Sequence, residues 1–149
     1  MFAVDENFKH MVLNGARDNF AQSGEVAPML LGVRDEKLVV FPLGSVMKDK
    51  EAVGQIISAM RMRVAVLAFV TEGWMVRQPT DEDLKVALKD HPDREEVVMA
   101  SFYQGMEQGL LLAKISRSEG NPPVLGDWED RLQGGVVKGR MFKPPSQWN

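Results

Sequence analysis

The run from Val64 to Val70 constrains the fold more than any other stretch of the chain. Its seven residues carry no charge and include three valines and a phenylalanine. A short apolar run rich in β-branched residues is typical of a buried central strand. The run ends in a polar segment at Glu72 and Gly73, before the bulky Trp74. An isolated glycine in a strand pattern often marks a bulge, so we expect pairing to resume at Trp74 to Arg77 if Gly73 bulges.

Two amphipathic helices and a hairpin are predicted ahead of this strand. Apolar residues recur at three- and four-residue steps over 5–20 and again over 48–62, which predicts two helices with one buried stripe each. Between them, the apolar runs 26–33 and 37–43 flank the charged turn Arg34-Asp35-Glu36, a pattern that predicts a β-hairpin. Pro28 and Pro42 cannot donate to a ladder, so they belong at strand ends or at a sheet edge.

A short helix and a second hairpin are predicted after the central strand. Thr80 precedes three acidic residues and a short apolar face that ends near Lys89, a pattern typical of a capped helix. The apolar segments 96–103 and 110–117 flank a glycine-bounded turn and predict two more strands.

The element order is therefore α-β-β-α-β-α-β-β. It predicts an α+β fold with a single mixed, largely antiparallel sheet of about five strands, two main helices and one short helix. The order occurs in small α+β families that include the roadblock-like and deaminase-like folds. Element order alone does not choose between them.

The composition changes after Ser118, because glycine and proline punctuate the remaining segment. We expect one domain overall, with an α+β core over 1–118 and a Gly/Pro-rich tail over 119–149, whose only expected strands are short ones at 123–125 and 136–141. The tail holds Trp128, Phe142 and Trp148, which are costly to leave in water. It is therefore expected to pack on the core or on a partner subunit.

Composition excludes several classes of protein. The chain has 149 residues, a net charge of −3 and no cysteine, which argues against a strongly basic nucleic-acid binder and removes disulfides and thiolate chemistry. Its longest apolar run falls far short of the ~20 residues of a membrane-spanning helix, and its beginning lacks the pattern of a signal peptide. We therefore expect a cytoplasmic protein that does not bind membranes.

A polar cluster is expected where the central strand and the following strand meet. Glu72 follows the first of these strands, and His91, Arg94 and Glu95 precede the second. An acid beside His91 could orient it as a general base, and Arg94 could hold an anionic substrate, which makes these four the candidate catalytic residues. The structural alternative is that Arg77 and Arg94 pair with the acids at a strand junction. Ion pairs of this kind are common, so the structural alternative is favoured.

Two segments carry a resemblance. Glu72-Gly73-Trp74 after one apolar strand and His91-Pro92-Asp93-Arg94-Glu95-Glu96-Val97 before another resemble a pattern that recurs among small uncharacterised bacterial and phage proteins. The resemblance covers about residues 64–100. It implies a common fold and no known activity.

No metal and no cofactor are predicted. The two histidines, His10 and His91, lie in different elements and have no partner at a ligand spacing, so the zinc chemistry of deaminases is not indicated. A magnesium site of Glu72, Asp93 and Glu95 is conceivable. Solvated acids on a turn are the favoured alternative.

The leading hypothesis is a binding or interaction protein that self-associates, with a dimer favoured, through its sheet edge and its tail. From residue 131 onward the chain has four basic residues and no acid, so the tail could dock on an acidic region. The candidate binding residues are Trp74, Arg77, Arg140, Phe142, Lys143 and Trp148. The first alternative is a small enzyme acting on an anionic substrate near Glu72 and His91. The second is nucleic-acid binding by the tail, which is disfavoured because four basic residues give only a weak positive potential on an acidic protein.

Overall fold

The computed structural model describes residues 6–44, 46–75, 92, 94–105 and 107–130. Two helices and six strands lie in this part of the chain. Their bounds, in chain order, are α1 Glu6–Ser23, β1 Met29–Arg34, β2 Lys37–Pro42, α2 Lys50–Arg61, β3 Val66–Met75, β4 Glu95–Gln104, β5 Glu107–Ser116 and β6 Val124–Asp130.

The strands form one sheet in the order β2-β1-β3-β4-β5-β6, and every described pairing is antiparallel. The α+β class and the single sheet are confirmed, with six strands where about five were predicted. The sheet contains no parallel pair among the described strands, although helix α2 connects β2 to β3, because β1 lies between those two strands. The predicted short helix at 80–89 falls outside the described residues.

Helix α1 covers one face of the sheet. Its buried residues, Phe8, Val12, Leu13, Ala16 and Phe20, recur at helical spacing. They pack on inward-facing residues of β3 to β6, such as Val70, Val98 and Ala113. Gly24 ends the helix with φ of 75°, a conformation open to glycine, and its N–H donates to the Phe20 carbonyl at 2.8 Å. We call this side of the sheet the α1 face.

Helix α2 covers part of the opposite side, the α2 face. Asp49 caps the helix by accepting hydrogen bonds from two backbone N–H groups of the first turn. Val53 and Ile57 are fully buried against Leu67 and Phe69. A further apolar cluster on this face comprises Met75, Val97, Met99, Leu110 and Leu112. Nowhere in the described part of the chain is a helix long and apolar enough to cross a membrane.

Strand β3 continues through Gly73 without a bulge. Its pairing with β4 runs unbroken from Leu67 opposite Tyr103 to Met75 opposite Glu95. The predicted bulge at Gly73 is therefore wrong. The glycine serves another purpose, because a Cβ atom at this position would overlap the Cε methyl of Met99. Strand β3 is a regular ten-residue strand that needs a small residue beside a large one.

Strand β6 lies in the segment that the sequence assigned to the tail. It pairs with β5, and one extra β6 residue forms an irregularity between Ala113 and Ile115. Arg17 of helix α1 donates to the carbonyls of Leu125 and Gly126, at 3.1 and 2.7 Å. Residues 124–130 are thus joined to the sheet and to helix α1. The predicted short strand at 136–141 lies outside the described residues.

Candidate functional site

Glu72, Glu96 and Arg117 form a charged group on the α1 face. Glu72 lies on β3, Glu96 on the neighbouring β4, and Arg117 just beyond the end of β5. The guanidinium of Arg117 binds Glu96 in a bidentate manner, with Nε to Oε1 at 2.6 Å and Nη2 to Oε2 at 3.0 Å. Its Nη2 also lies 4.0 Å from a carboxylate oxygen of Glu72. One arginine therefore links two acids from adjacent strands.

Glu72 connects this group to the end of helix α1. Its Oε2 accepts a hydrogen bond from the backbone N–H of Val26 at 3.3 Å. Partial burial raises the pKa of Glu72, and the negative charges of Glu96 and Glu25 act in the same direction. The Val26 N–H and Arg117 oppose the increase in pKa. The carboxylate is thus held by the loop after α1 and by an arginine that follows β5.

Trp74 and Arg94 lie near this group. The guanidinium carbon of Arg94 is 5.1 Å from the centre of the Trp74 ring, a cation–π distance. Trp74 stands directly opposite Glu96 in the β3–β4 pairing, which places it on the α1 face with Glu72. The structure therefore brings the predicted residues Glu72, Trp74 and Arg94 into one region.

Glu95 lies on the opposite face from Glu72. It pairs with Met75, whose side chain belongs to the α2 face, and its carboxylate is 3.5 Å from the ammonium of Lys114. Side chains alternate between the two faces of a strand, so the parity of the register separates these two acids. The sheet does not bring Glu72 and Glu95 to one metal or one substrate.

The other predicted residues lie outside the described residues. They are Arg77, His91, Asp93, Arg140, Phe142, Lys143 and Trp148. The proposals that depend on them, namely acid–base catalysis at His91 and nucleic-acid binding by the tail, stay predictions. In the described part of the chain, no group of three or more acids and histidines is placed to hold a metal ion.

Arg117 is the member of the charged group that the sequence analysis missed. The β4–β5 register pairs Gln104 with Glu107 and Val97 with Lys114, and its extension places Arg117 diagonally across from Glu96. That register follows from the tight hairpin turn, so a precise assignment of the turn would have revealed the pair. Because each charge in this group has a protein partner, the geometry favours a structural link between β3, β4 and β5.

A second candidate site is the outer edge of β2. All six of its residues are exposed, and Leu38, Val39, Val40 and Phe41 form a run of four exposed apolar side chains. No described strand pairs with this outer edge. Long apolar edge strands are rare in monomeric proteins because they offer a template for another strand.

The hydrogen-bonding phase of β2 is fixed by its contact with β1. The N–H of Leu43 donates to the Pro28 carbonyl at 3.0 Å, and residues of an antiparallel ladder alternate between facing one neighbour and facing the other. Val39 and Phe41 therefore direct their backbone groups toward β1. Leu38, Val40 and Pro42 direct theirs outward, and the missing N–H of Pro42 thus falls on the free side, as the sequence analysis expected of a proline at an edge.

The opposite edge of the sheet is protected. Strand β6 carries three acidic residues among its seven, Asp127, Glu129 and Asp130. It also contains the irregularity opposite Lys114. Charges and bulges are the usual devices that prevent a strand from joining another sheet. Among the described strands, the sheet thus has one protected edge and one apolar edge.

No family model matches the chain, and no significant match was found among curated proteins or solved structures. The resemblance of residues 64–100 to small bacterial and phage proteins stays a prediction.

Proposed function

We propose that this protein is a binding or interaction protein that self-associates through the outer edge of β2. The observation that supports the proposal is the contrast between the two edges of the sheet. β2 presents outward-directed backbone groups and four exposed apolar side chains, whereas β6 carries acids and an irregularity. Addition of a strand to an open edge is a common mode of recognition, in which the main chain supplies affinity and the side chains supply specificity.

A second copy of the chain is the partner that this edge suits best. Closed symmetric homodimers are the commonest assemblies of soluble proteins, and a strand edge can pair with itself across a two-fold axis. The strand contributes six residues per copy, compared with about 20–30 residues per side in a stable interface. The association through β2 is therefore expected to be weak and to depend on concentration.

The substitution Val40→Lys tests the proposal. Val40 is 51% exposed, so a lysine there should leave the folded monomer intact while adding a charge to the apolar edge. The matched control is Val124→Lys, because Val124 is 62% exposed on the opposite edge strand. Molecular mass is measured by sedimentation at protein concentrations from about 1 μM to 1 mM, which correspond to association free energies of about −8 to −4 kcal/mol.

We expect the unchanged protein and Val124→Lys to increase in mass with concentration and Val40→Lys to remain monomeric. A monomer at every concentration for the unchanged protein, or an unchanged dimer for Val40→Lys, would reject self-association through β2.

The tail is proposed to add to this contact. Its basic residues and the aromatic pair Phe142 and Trp148 suit an acidic surface on a second copy. A chain truncated after Asp130 keeps strand β6 and removes the basic segment. If the tail contributes, the truncated chain dimerises at higher concentration than the full chain. Equal dimerisation of the two would remove the tail from the interface and leave the β2 proposal standing.

A further inference from the structure

We infer that a groove between helix α1 and strand β1 receives Phe142 from the tail of a second copy. The inference rests on the proposed contact between the tail and a second copy, and it names the surface on which the tail docks. The groove lies beside β1 and does not involve the outer edge of β2. We call it the α1 groove.

The α1 groove is an apolar recess on the α1 face with a volume of about 120 Å³. Val12 of the helix, Leu31 of β1 and Val70 of β3 form part of its lining. Gly15 keeps the helix side of the groove open, because a Cβ atom there would meet no atom within 4 Å. Asn19 contributes a polar side chain to the lining. The groove therefore suits an apolar side chain that enters from solvent.

The volume of the groove selects a phenyl ring. Closed apolar cavities of about 150 Å³ bind benzene. The α1 groove is slightly smaller and opens to solvent beside Met11, which is 43% exposed, so it can take a phenyl ring. The indole ring of tryptophan is larger. The segment after Asp130 contains one phenylalanine, Phe142, and one tryptophan, Trp148. Phe142 is thus the aromatic residue of that segment that fits the groove.

An acidic residue lies at one end of the groove. Val26 lines the groove, and its neighbour in the chain is the exposed Glu25. No basic residue in the described part of the chain forms an ion pair with Glu25, in contrast to Glu72, which lies 4.0 Å from Arg117. The negative charge of Glu25 is therefore available to a basic residue of a partner.

The residues around Phe142 supply that basic residue. Arg140 and Lys143 lie within two positions of the phenylalanine, and the chain has no acid beyond residue 130. When the phenyl ring occupies the groove, one of these two side chains can pair with Glu25. Phe2, the other phenylalanine outside the described residues, has acids as its nearest charged side chains. Charge complementarity therefore also selects Phe142.

Helix α1 separates the groove from the end of β6. Gly15 faces the groove, whereas Arg17, about 200° further round the helix, bonds to the carbonyls of β6. The strand registers place Asp130 in line with Met29, which lines the groove, across four strand spacings or about 19 Å. The tail thus begins on the far side of the helix from the groove.

The same copy would have to stretch its tail fully to fill its own groove. Passage over a helix of about 10–12 Å diameter lengthens the path from Asp130 to roughly 40 Å. The twelve residues from Asp130 to Phe142 span at most about 43 Å when fully extended. A connection without slack is disfavoured because it loses chain entropy. The tail of a second copy is not subject to this limit, so a second copy is the favoured donor of Phe142.

Methionine methyl groups report whether the groove is occupied, because Met11 and Met29 line it. The full chain with Phe142→Ala is labelled with ¹³C in its methionine methyl groups, so its groove is intact and its tail lacks the phenyl ring. Unlabelled natural chain is added up to about 1 mM, and the methyl resonances are followed by NMR. Unlabelled Phe142→Ala chain is the matched control. Met62, at the end of α2, and Met99, on the α2 face, are internal references.

We expect the natural chain to shift the resonances of Met11 and Met29 through the ring current of Phe142. The unlabelled Phe142→Ala chain should leave both resonances unchanged. The references should not shift with either chain.

Two further substitutions in the labelled chain test the groove itself. Gly15→Leu fills the groove from the helix and should weaken the interaction at least about tenfold, since the phenyl ring can no longer be buried. Its matched control is Gly54→Leu, because Gly54 lies in helix α2 and a Cβ there also meets no atom within 4 Å. Glu25→Gln should weaken the interaction and reduce its dependence on salt.

Three results would overturn the inference. Equal shifts with the natural chain and with the Phe142→Ala chain would assign the contact to another residue. Different Met11 and Met29 resonances in labelled natural and labelled Phe142→Ala chains, without a shift on mixing, would place the ring in the groove of its own copy. Absence of any difference in either comparison would exclude the groove as the docking surface.

The inference and the proposed function fail separately. A dimer that Val40→Lys abolishes, without shifts at Met11 and Met29, would keep self-association through β2 and reject the groove. Shifts that persist on mixing when both chains carry Val40→Lys, with a mass that this substitution does not change, would keep the groove and reject β2.

Discussion

Substitution of Gly73 by alanine is expected to destabilise the protein because of one specific overlap. The added Cβ would meet the Cε methyl of Met99 at a distance far below van der Waals contact. The overlapping atom is the end of a flexible side chain, but Met99 is only 4% exposed and belongs to the apolar cluster that includes Met75 and Leu112, so its methyl group can move only by displacing buried neighbours. Extra methyl groups in a well-packed core typically cost about 1–3 kcal/mol. For a chain of this size, that cost lowers the melting temperature by about 3–9 °C.

The measurement is chemical and thermal unfolding of Gly73→Ala beside the control Gly15→Ala. Gly15 lies within helix α1, and a Cβ there meets no atom within 4 Å. The unfolding free energy of the control should therefore increase by about 0.5–1 kcal/mol, because alanine favours the helix and loses less chain entropy than glycine on folding.

A double variant identifies the cause. Met99→Leu removes the terminal methyl group and should itself cost less than about 1.5 kcal/mol. In that background Gly73→Ala is expected to cost less than about 1 kcal/mol, since the overlapping atom is gone. A neutral Gly73→Ala in the natural chain, or an equal loss of unfolding free energy in the Met99→Leu background and in the natural chain, would show that the overlap with Met99 does not determine stability here.

Four further predictions concern other parts of the structure. Arg17→Met should lower the unfolding free energy by about 1–3 kcal/mol, because it removes two hydrogen bonds to β6 carbonyls. Amide hydrogen exchange should become faster in β6 before other elements, and a uniform increase across the sheet would contradict a local role for Arg17. The pKa of Glu72 is raised in the folded state, so its contribution to stability is full below the unfolded pKa and is lost as the pH rises through the folded pKa. The unfolding free energy of Glu72→Gln should therefore increase relative to that of the natural chain between pH 4.5 and neutrality. If the unfolding free energy of the natural chain instead increased relative to that of the variant over this pH range, the predicted direction would be wrong. Burial raises the pKa of Tyr103, the single tyrosine of the chain, to about 12. The absorbance of tyrosinate should therefore show a titration midpoint near 12 in the folded protein and near 10 in the unfolded protein. A midpoint near 10 in the folded protein would show that the ring is accessible to solvent. Glu36→Gly should raise the unfolding free energy by about 1 kcal/mol, because both turn residues have positive φ and glycine favours that conformation. A decrease in unfolding free energy would instead indicate a role for the Glu36 carboxylate.

Most individual elements follow from local patterns. The two long helices and strands β1 to β5 were predicted within a few residues because periods of 3.6 and 2 in the apolar residues depend only on the neighbouring sequence. The hairpin between β1 and β2 was evident from its charged turn. Strand β6 was barely visible, because a segment rich in glycine and proline that carries three acids has little periodicity; it is held by pairing with β5 and by Arg17.

The candidate polar site was only partly predictable. Glu72, Trp74 and Arg94 were recognised as neighbours of one junction, and the structure places them together. Glu95 was grouped with them and lies on the other face, because one residue of register decides the side of the sheet. Arg117, far along the chain, supplies the cation through a cross-strand contact that no local pattern reveals.

The sequence by itself determined the two helices, the buried stripe of each and strands β1 to β5, since each of these depends on residues close together in the chain. Only the tertiary structure decided the order of the strands and the register between them. These depend on contacts between distant residues, whose energies are set by partners that local periodicity does not identify. The position of β2 at the edge of the described sheet, on which the proposed self-association rests, is a consequence of that order. The same order made β3 a regular strand that packs Gly73 against Met99.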